Sequence, residues 1–94
     1  MANVIWLPGA KEDIARLHTF LKEKNPRAAR QALEAIRAGA RELEAHPQLG
    51  RPMNDETGRR ELFIPVGRQG YVLRYMLDVR DVVVIRVWHA RERR

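Results

Sequence analysis

Apolar residues recur along this chain with changing periods, and each change marks an element boundary. Val4-Ile5-Trp6-Leu7 is a short apolar run closed by Pro8-Gly9, the pattern of a strand ended by a turn. From Ala10 the period lengthens. Ala10, Ile14, Leu17 and Leu21 are spaced to share one helical face, Phe20 widens it, and Lys11, Glu12, Arg16, Lys22 and Glu23 fall largely on the other side. The helix is expected to stop near Lys24. Asn25-Pro26 then supplies a helix start, with Asn as N-cap and Pro in the first helical position. Ala29, Leu33, Ile36, Ala40 and Leu43 form the apolar stripe of a second helix reaching about Ala45. So short a connection predicts an antiparallel helix hairpin, and the small alanines permit close approach. Beside the stripe runs a mostly basic row, Arg27, Arg30, Glu34, Arg37 and Arg41. It reads either as a solvated face or as a flank for a partner.

Residues 46–60 hold two Pro and two Gly and read as a loop, anchored by Leu49 and Met53. The period then drops to two. Glu61 to Pro65 is a strand that Pro65 limits, Tyr71 to Leu77 a second, and Val82 to Trp88 a third, with Asp78-Val-Arg-Asp81 as a hairpin turn. The last strand is the most β-branched and should be central or next to central. Alternation sets Arg74 against Tyr71, Leu73, Tyr75 and Leu77, and sets Arg86 against Val83, Ile85 and Val87. Both arginines are therefore expected on an open, basic face. The order β-α-α-β-β-β predicts an α+β fold: an antiparallel helix hairpin packed on a small, mainly antiparallel sheet, one domain over residues 1–94.

Composition narrows the function. A chain of 94 residues with 45% hydrophobic content supports one modest core, and a site would be a surface groove. There is no cysteine, and His18, His46 and His89 lack metal-ligand spacing, so neither a metal nor a cofactor is expected. The first residues lack a basic leader and a long apolar run, and no stretch approaches a membrane span, so a cytoplasmic location without membrane contact is expected. The net charge of +6 suits an anionic partner, such as nucleic acid, a ribosome or an acidic protein. Only three of the 18 basic residues are lysines, so part of the excess also fits a general preference for arginine. No Gly-rich phosphate loop, HExxH or GxSxG motif is present.

The candidate chemistry lies at the end of the last strand. His89 is followed by Arg91, Arg93 and Arg94. Histidine can move a proton near neutral pH and arginine can hold a phosphate, which is the pairing that RNA chemistry needs. The same residues could equally be an ordinary basic tail.

Taken in order, the motifs resemble the RelE/ParE family of toxins from bacterial toxin–antitoxin modules. They are Trp6-x-Pro8-x-Ala10-x-x-Asp13-Ile14, Asn25-Pro-x-Ala-Ala29, Leu43-x-x-x-Pro47-x-Leu-Gly-Arg-Pro52, Arg60-Glu-Leu62, Gly70-Tyr-Val-Leu-Arg-Tyr75 and Val84-Ile-Arg-Val-Trp-His-Ala-Arg91. The resemblance implies growth inhibition and neutralisation by a cognate acidic antitoxin in a hetero-oligomer. It also implies one of two mechanisms. RelE-like members cut messenger RNA on the ribosome with sheet cations and a C-terminal Tyr or His; ParE-like members have lost that set and poison DNA gyrase. Here Val72 stands where the nucleases carry an arginine, Leu62 and Ile64 stand where cations would be expected, and no tyrosine follows His89, although Arg91 matches a family arginine. These departures favour the gyrase poison over the nuclease, so an interaction poison rather than an enzyme. If the chain is a ribonuclease instead, His89, Arg91 and Arg60 are its catalytic candidates. Target contacts are expected at Arg74, Arg86, Arg91, Arg93 and Arg94, and antitoxin contacts at Leu17, Leu21, Leu33, Ile36 and Arg37.

Overall fold

The structure is a computed structural model and describes residues 2–92. Strand β1 (Asn3–Trp6) leads into helices α1 (Pro8–Lys24) and α2 (Pro26–Ala45), followed by strands β2 (Arg51–Pro52), β3 (Arg59–Val66), β4 (Gln69–Asp78) and β5 (Asp81–His89). Helix α1 starts two residues earlier than its apolar period suggested, because Pro8 needs no amide partner in the first turn. Asn25 caps α2 as expected: its side-chain oxygen accepts from the amides of Arg27 at 3.1 Å and Ala28 at 3.2 Å.

The five strands form one sheet in the order β1-β5-β4-β3-β2. Strand β1 runs parallel to β5, and the other pairings are antiparallel. The β-branched β5 lies next to the central strand β4, as its composition predicted. The short β2 falls inside the segment read as a loop. Its two residues pair with Glu61 and Arg60, and two residues are too few to leave a periodic signal. Leu49 does not anchor that segment, being 48% exposed. Polar contacts hold it instead. The Tyr75 hydroxyl accepts from the Gly50 amide at 2.8 Å and donates to the Pro47 carbonyl at 2.7 Å, while the Arg60 guanidinium donates to the Gln48 and Gly50 carbonyls.

The core lies between the helix hairpin and one face of the sheet. Leu17, Ile36 and Leu43 from the helices meet Ile64, Tyr71, Leu73, Tyr75, Val82, Val84 and Val87 from the strands. Gly39 lets α2 cross close to β3, since a Cβ there would lie 2.9 Å from the Ile64 side chain. Two expectations fail here for one reason. The inward residues of β5 are Val82, Val84 and Val87, not Val83 and Ile85. Arg74 faces Arg86 across the ladder, yet Tyr75 faces Val84, so Ile85 is an extra residue in a β-bulge. The bulge shifts the alternation by one position, which a strict period of two does not anticipate.

Candidate functional site

The helices pack on one face of the sheet, and among the described residues no helix or strand layer covers the other. The open face is striped. One row runs Ile5–Val83–Met76–Arg59, the next holds Arg74, Glu61 and Arg51, and the third runs Trp88–Val72–Phe63. Phe63 is 58% exposed and Ile5 is 42% exposed, while Val72 and Trp88 are buried. Arg74 belongs to this face. Its guanidinium donates twice to Glu61, at 2.8 and 3.1 Å, and its centre lies 4.9 Å from the Trp88 ring centroid.

Arg86 was expected beside Arg74, and the structure corrects this. The bulge turns Arg86 around the edge of β5 toward α1. There its guanidinium donates to both carboxylate oxygens of Asp13, at 2.7 and 3.1 Å. Asp13 is only 4% exposed and also accepts from the Val87 amide at 2.9 Å. Burial pushes the Asp13 carboxyl up. The hydrogen bonds from Arg86 and Val87, with the charges of Arg86 and Arg16, outweigh burial and hold it below the ordinary value. Position 13 lies within one turn of Ala10 and Leu17, but the helical period carries no sign that a carboxylate there is buried.

The C-terminal end of β5 is ordered by local polar contacts. The His89 ring sits edge-on to Tyr71 with centroids 5.2 Å apart. Its Nδ1 accepts from the Arg91 amide at 3.1 Å, and that assigns the proton to Nε2, which lies 2.8 Å from the Gln69 side-chain oxygen. Glu92 accepts from the His89 amide and from Arg16, tying this end to α1. Burial, with the Glu92 charge, pushes the Tyr71 hydroxyl up, so it stays protonated at neutral pH. Arg91 is exposed beside His89. Arg93 and Arg94 lie outside the described residues. Arg60, the third catalytic candidate, is about 30 positions away in sequence and bonded to the loop carbonyls described above. It does not join His89 and Arg91 in one constellation.

The antitoxin candidates divide. Leu17 is 5% exposed and Ile36 is 1% exposed, so both face the sheet and are not available as surface contacts. The helical period shows which residues share a face but not which part of a wide face the sheet covers. Leu21 is half-buried against the core. Leu33 and Arg37 line an open groove of about 670 Å³ between β1 and the two helices, with Val4, Trp6, Ile14 and Ala40 as apolar lining, Lys11 and Arg41 as further cations and Glu44 as an acid, so its rim is cationic on balance. Strand β1 borders this groove and is an edge strand of the sheet.

Leu62 and Ile64 also need a different account. Both pack toward the helices, so the core requires them to be apolar. Of the open-face positions on β3 and β4, 59 and 74 carry arginines, while 61, 63 and 72 carry Glu61, Phe63 and Val72. Among the described residues, no group of three or more His, Asp or Glu side chains could hold a metal ion, and no helix is long and apolar enough to cross a membrane.

Known proteins share this arrangement. Residues 4–94 match the family model described as the ParE toxin of the type II toxin–antitoxin system parDE. The chain is 37% identical over 94 residues to Toxin RelE3 of Caulobacter vibrioides, covering 100% of both chains. It is 40% identical over 85 residues to Toxin RelE1 of the same organism, covering 90% of this chain and 89% of that one. A chain of the chromosomal ParDE toxin–antitoxin system from P. aeruginosa has the same fold, with a TM-score of 0.75 at 18% identity over 95% of this chain and 96% of that one. The chain therefore belongs to the ParE toxin family of type II toxin–antitoxin systems.

Proposed function

We propose that this toxin acts by binding a protein target, DNA gyrase, rather than by cutting RNA. The observation that carries this reading is the row Phe63–Val72–Trp88 on the open face. A phosphodiester transition state needs concentrated, unspent positive charge. Here that row is apolar, Arg86 is spent on Asp13 and Arg60 on loop carbonyls, and the open-face cations Arg51, Arg59 and the Glu61-paired Arg74 lie in the other rows, spread out rather than gathered on one reacting group. The antitoxin reading rests on the groove between β1 and the helices. An acidic, initially disordered segment fits its apolar lining and cationic rim, and could also pair with the edge of β1. The test is a pair of assays on the purified chain. Inhibition of gyrase supercoiling with ribosome-bound message left intact is the expected result. Cleavage in the ribosomal A site without an effect on supercoiling would sink the proposal.

A ribonuclease is the second reading, favoured by one observation: His89 and Arg91 are adjacent at the end of β5, with the His89 ring held in a single tautomer. On that reading His89→Ala slows message cleavage by on the order of 10²-fold or more.

A further inference from the structure

We infer that the helix-free face of the sheet is the surface that grips the target, and that the target contributes an acidic protein surface with apolar contacts. This deepens the proposal above and rests on the toxin acting through a protein partner. Two large apolar side chains, Phe63 at 58% exposure and Ile5 at 42%, stand on this face at opposite corners. The Phe63 ring lies against the backbone of Gly70 so closely that a Cβ there would sit 2.2 Å from it. The absence of a side chain at Gly70 leaves the ring a flat stretch of backbone to rest on while its other face stays open to a partner. The charged row between the apolar rows carries Arg51 and Arg74 against Glu61, and Arg59 ends the Ile5 row, so the face is basic as well as apolar.

Those features choose among partners. A second copy of this chain would set the arginines of one face against those of the other, on molecules already carrying +6. A nucleic acid strand would use exposed aromatic faces for stacking. Trp88 is buried and has the Arg74 guanidinium over its ring, and Ile5, Val83 and Met76 are aliphatic, leaving Phe63 as the exposed ring of this face. An acidic protein surface uses both the aliphatic rows and the arginines. The antitoxin groove opens on the helix side, lined by Leu33 and Arg37, so the two surfaces do not share these residues.

The test separates the two functions. Phe63→Ser and Met76→Asp are made singly, because they lie on different strands, away from the β1 edge offered to the antitoxin, and one can fail to fold without the other. Each folded variant is assayed for growth arrest on expression, affinity for the antitoxin, retention on immobilised gyrase and binding to a single-stranded oligoribonucleotide. Growth arrest should be lost and gyrase retention should fall at least about 10-fold, with antitoxin affinity kept within about twofold. Folded variants that arrest growth like the parent chain overturn the inference, as does a matching loss of antitoxin affinity. Oligoribonucleotide binding that disappears with Phe63 makes the face a nucleic-acid interface and also overturns it. A parent chain that arrests growth without binding gyrase refutes the gyrase reading alone, and the surface is then judged by growth arrest. A parent chain that does neither refutes both.

Discussion

Arg74 and Arg86 face each other across neighbouring strands, yet one lies on the open face and the other locks a helix to the sheet. The difference comes from one residue. Ile85 is the extra residue of a bulge, so Arg86 leaves the plane of the ladder. It emerges where β1 has ended, since the last pair is Trp6 with Val84, and where α1 begins. Asp13 is then in reach. Arg74, on the regular side of the bulge, keeps its place between Glu61 and Trp88. A charged residue in a strand is therefore not a site marker until the register around it is known. Arg86 and Asp13 serve the fold, and Arg74 stays on the open face.

The largest effect should come from breaking the clamp. Arg86→Ala leaves the Asp13 carboxylate almost fully buried without its main partner, and should cost about 2 kcal/mol in a denaturant titration, less than for a fully buried pair because the Arg86 side chain is 56% exposed. Asp13→Ala made on top of it removes the stranded charge and should recover on the order of 1 kcal/mol. A double variant clearly worse than Arg86→Ala would show that Asp13 stabilises α1 by some route other than this pair.

Acid should act on the same clamp. Asp13 titrates below its ordinary value in the folded chain, so it contributes stability that is present above its unfolded pKa of about 3.9 and is lost as pH falls through the folded value. The stability gap between the parent chain and Asp13→Ala should therefore narrow below about pH 4, as denaturant midpoints at successive pH values will show. A gap that stays constant through that range would mean the carboxylate is not held low.

Arg74→Ala should have the smallest effect on stability, under about 1 kcal/mol, because a lone Arg–carboxylate pair at the sheet surface contributes little. Its effect on growth arrest should nevertheless exceed that of any equally stable substitution at the helix groove. Equal toxicity in the two would erase the contrast between the arginines.

Much of this was legible beforehand because it follows from short-range rules. The Asn25-Pro26 cap, the hairpin it enforces, the buried Tyr71 and Tyr75, and the place of β5 beside the centre follow from local chemistry and alternation. The site is less legible. Leu17 and Ile36 were candidate contacts and are core, while Leu33 and Arg37 line a groove. All four lie on or beside the apolar stripes of an amphipathic hairpin, and periodicity alone does not tell the line facing the sheet from the line beside it. The exposure of Phe63 leaves no mark in the sequence, because one aromatic in a strand reads as core until the face it occupies is known.

By itself, then, the sequence determined the hairpin, the two-layer fold and the order of every element but the two-residue β2, because each depends on side-chain periods and caps within a few residues, and its ordered motifs carried the resemblance to the family. Only the tertiary structure decided which face of the sheet stays open, that a bulge at Ile85 sends Arg86 to Asp13, and that Arg60 and Tyr75 fasten a loop. Those outcomes join residues up to 73 positions apart, and each is set by where packed elements cross rather than by any preference of the residues that meet there.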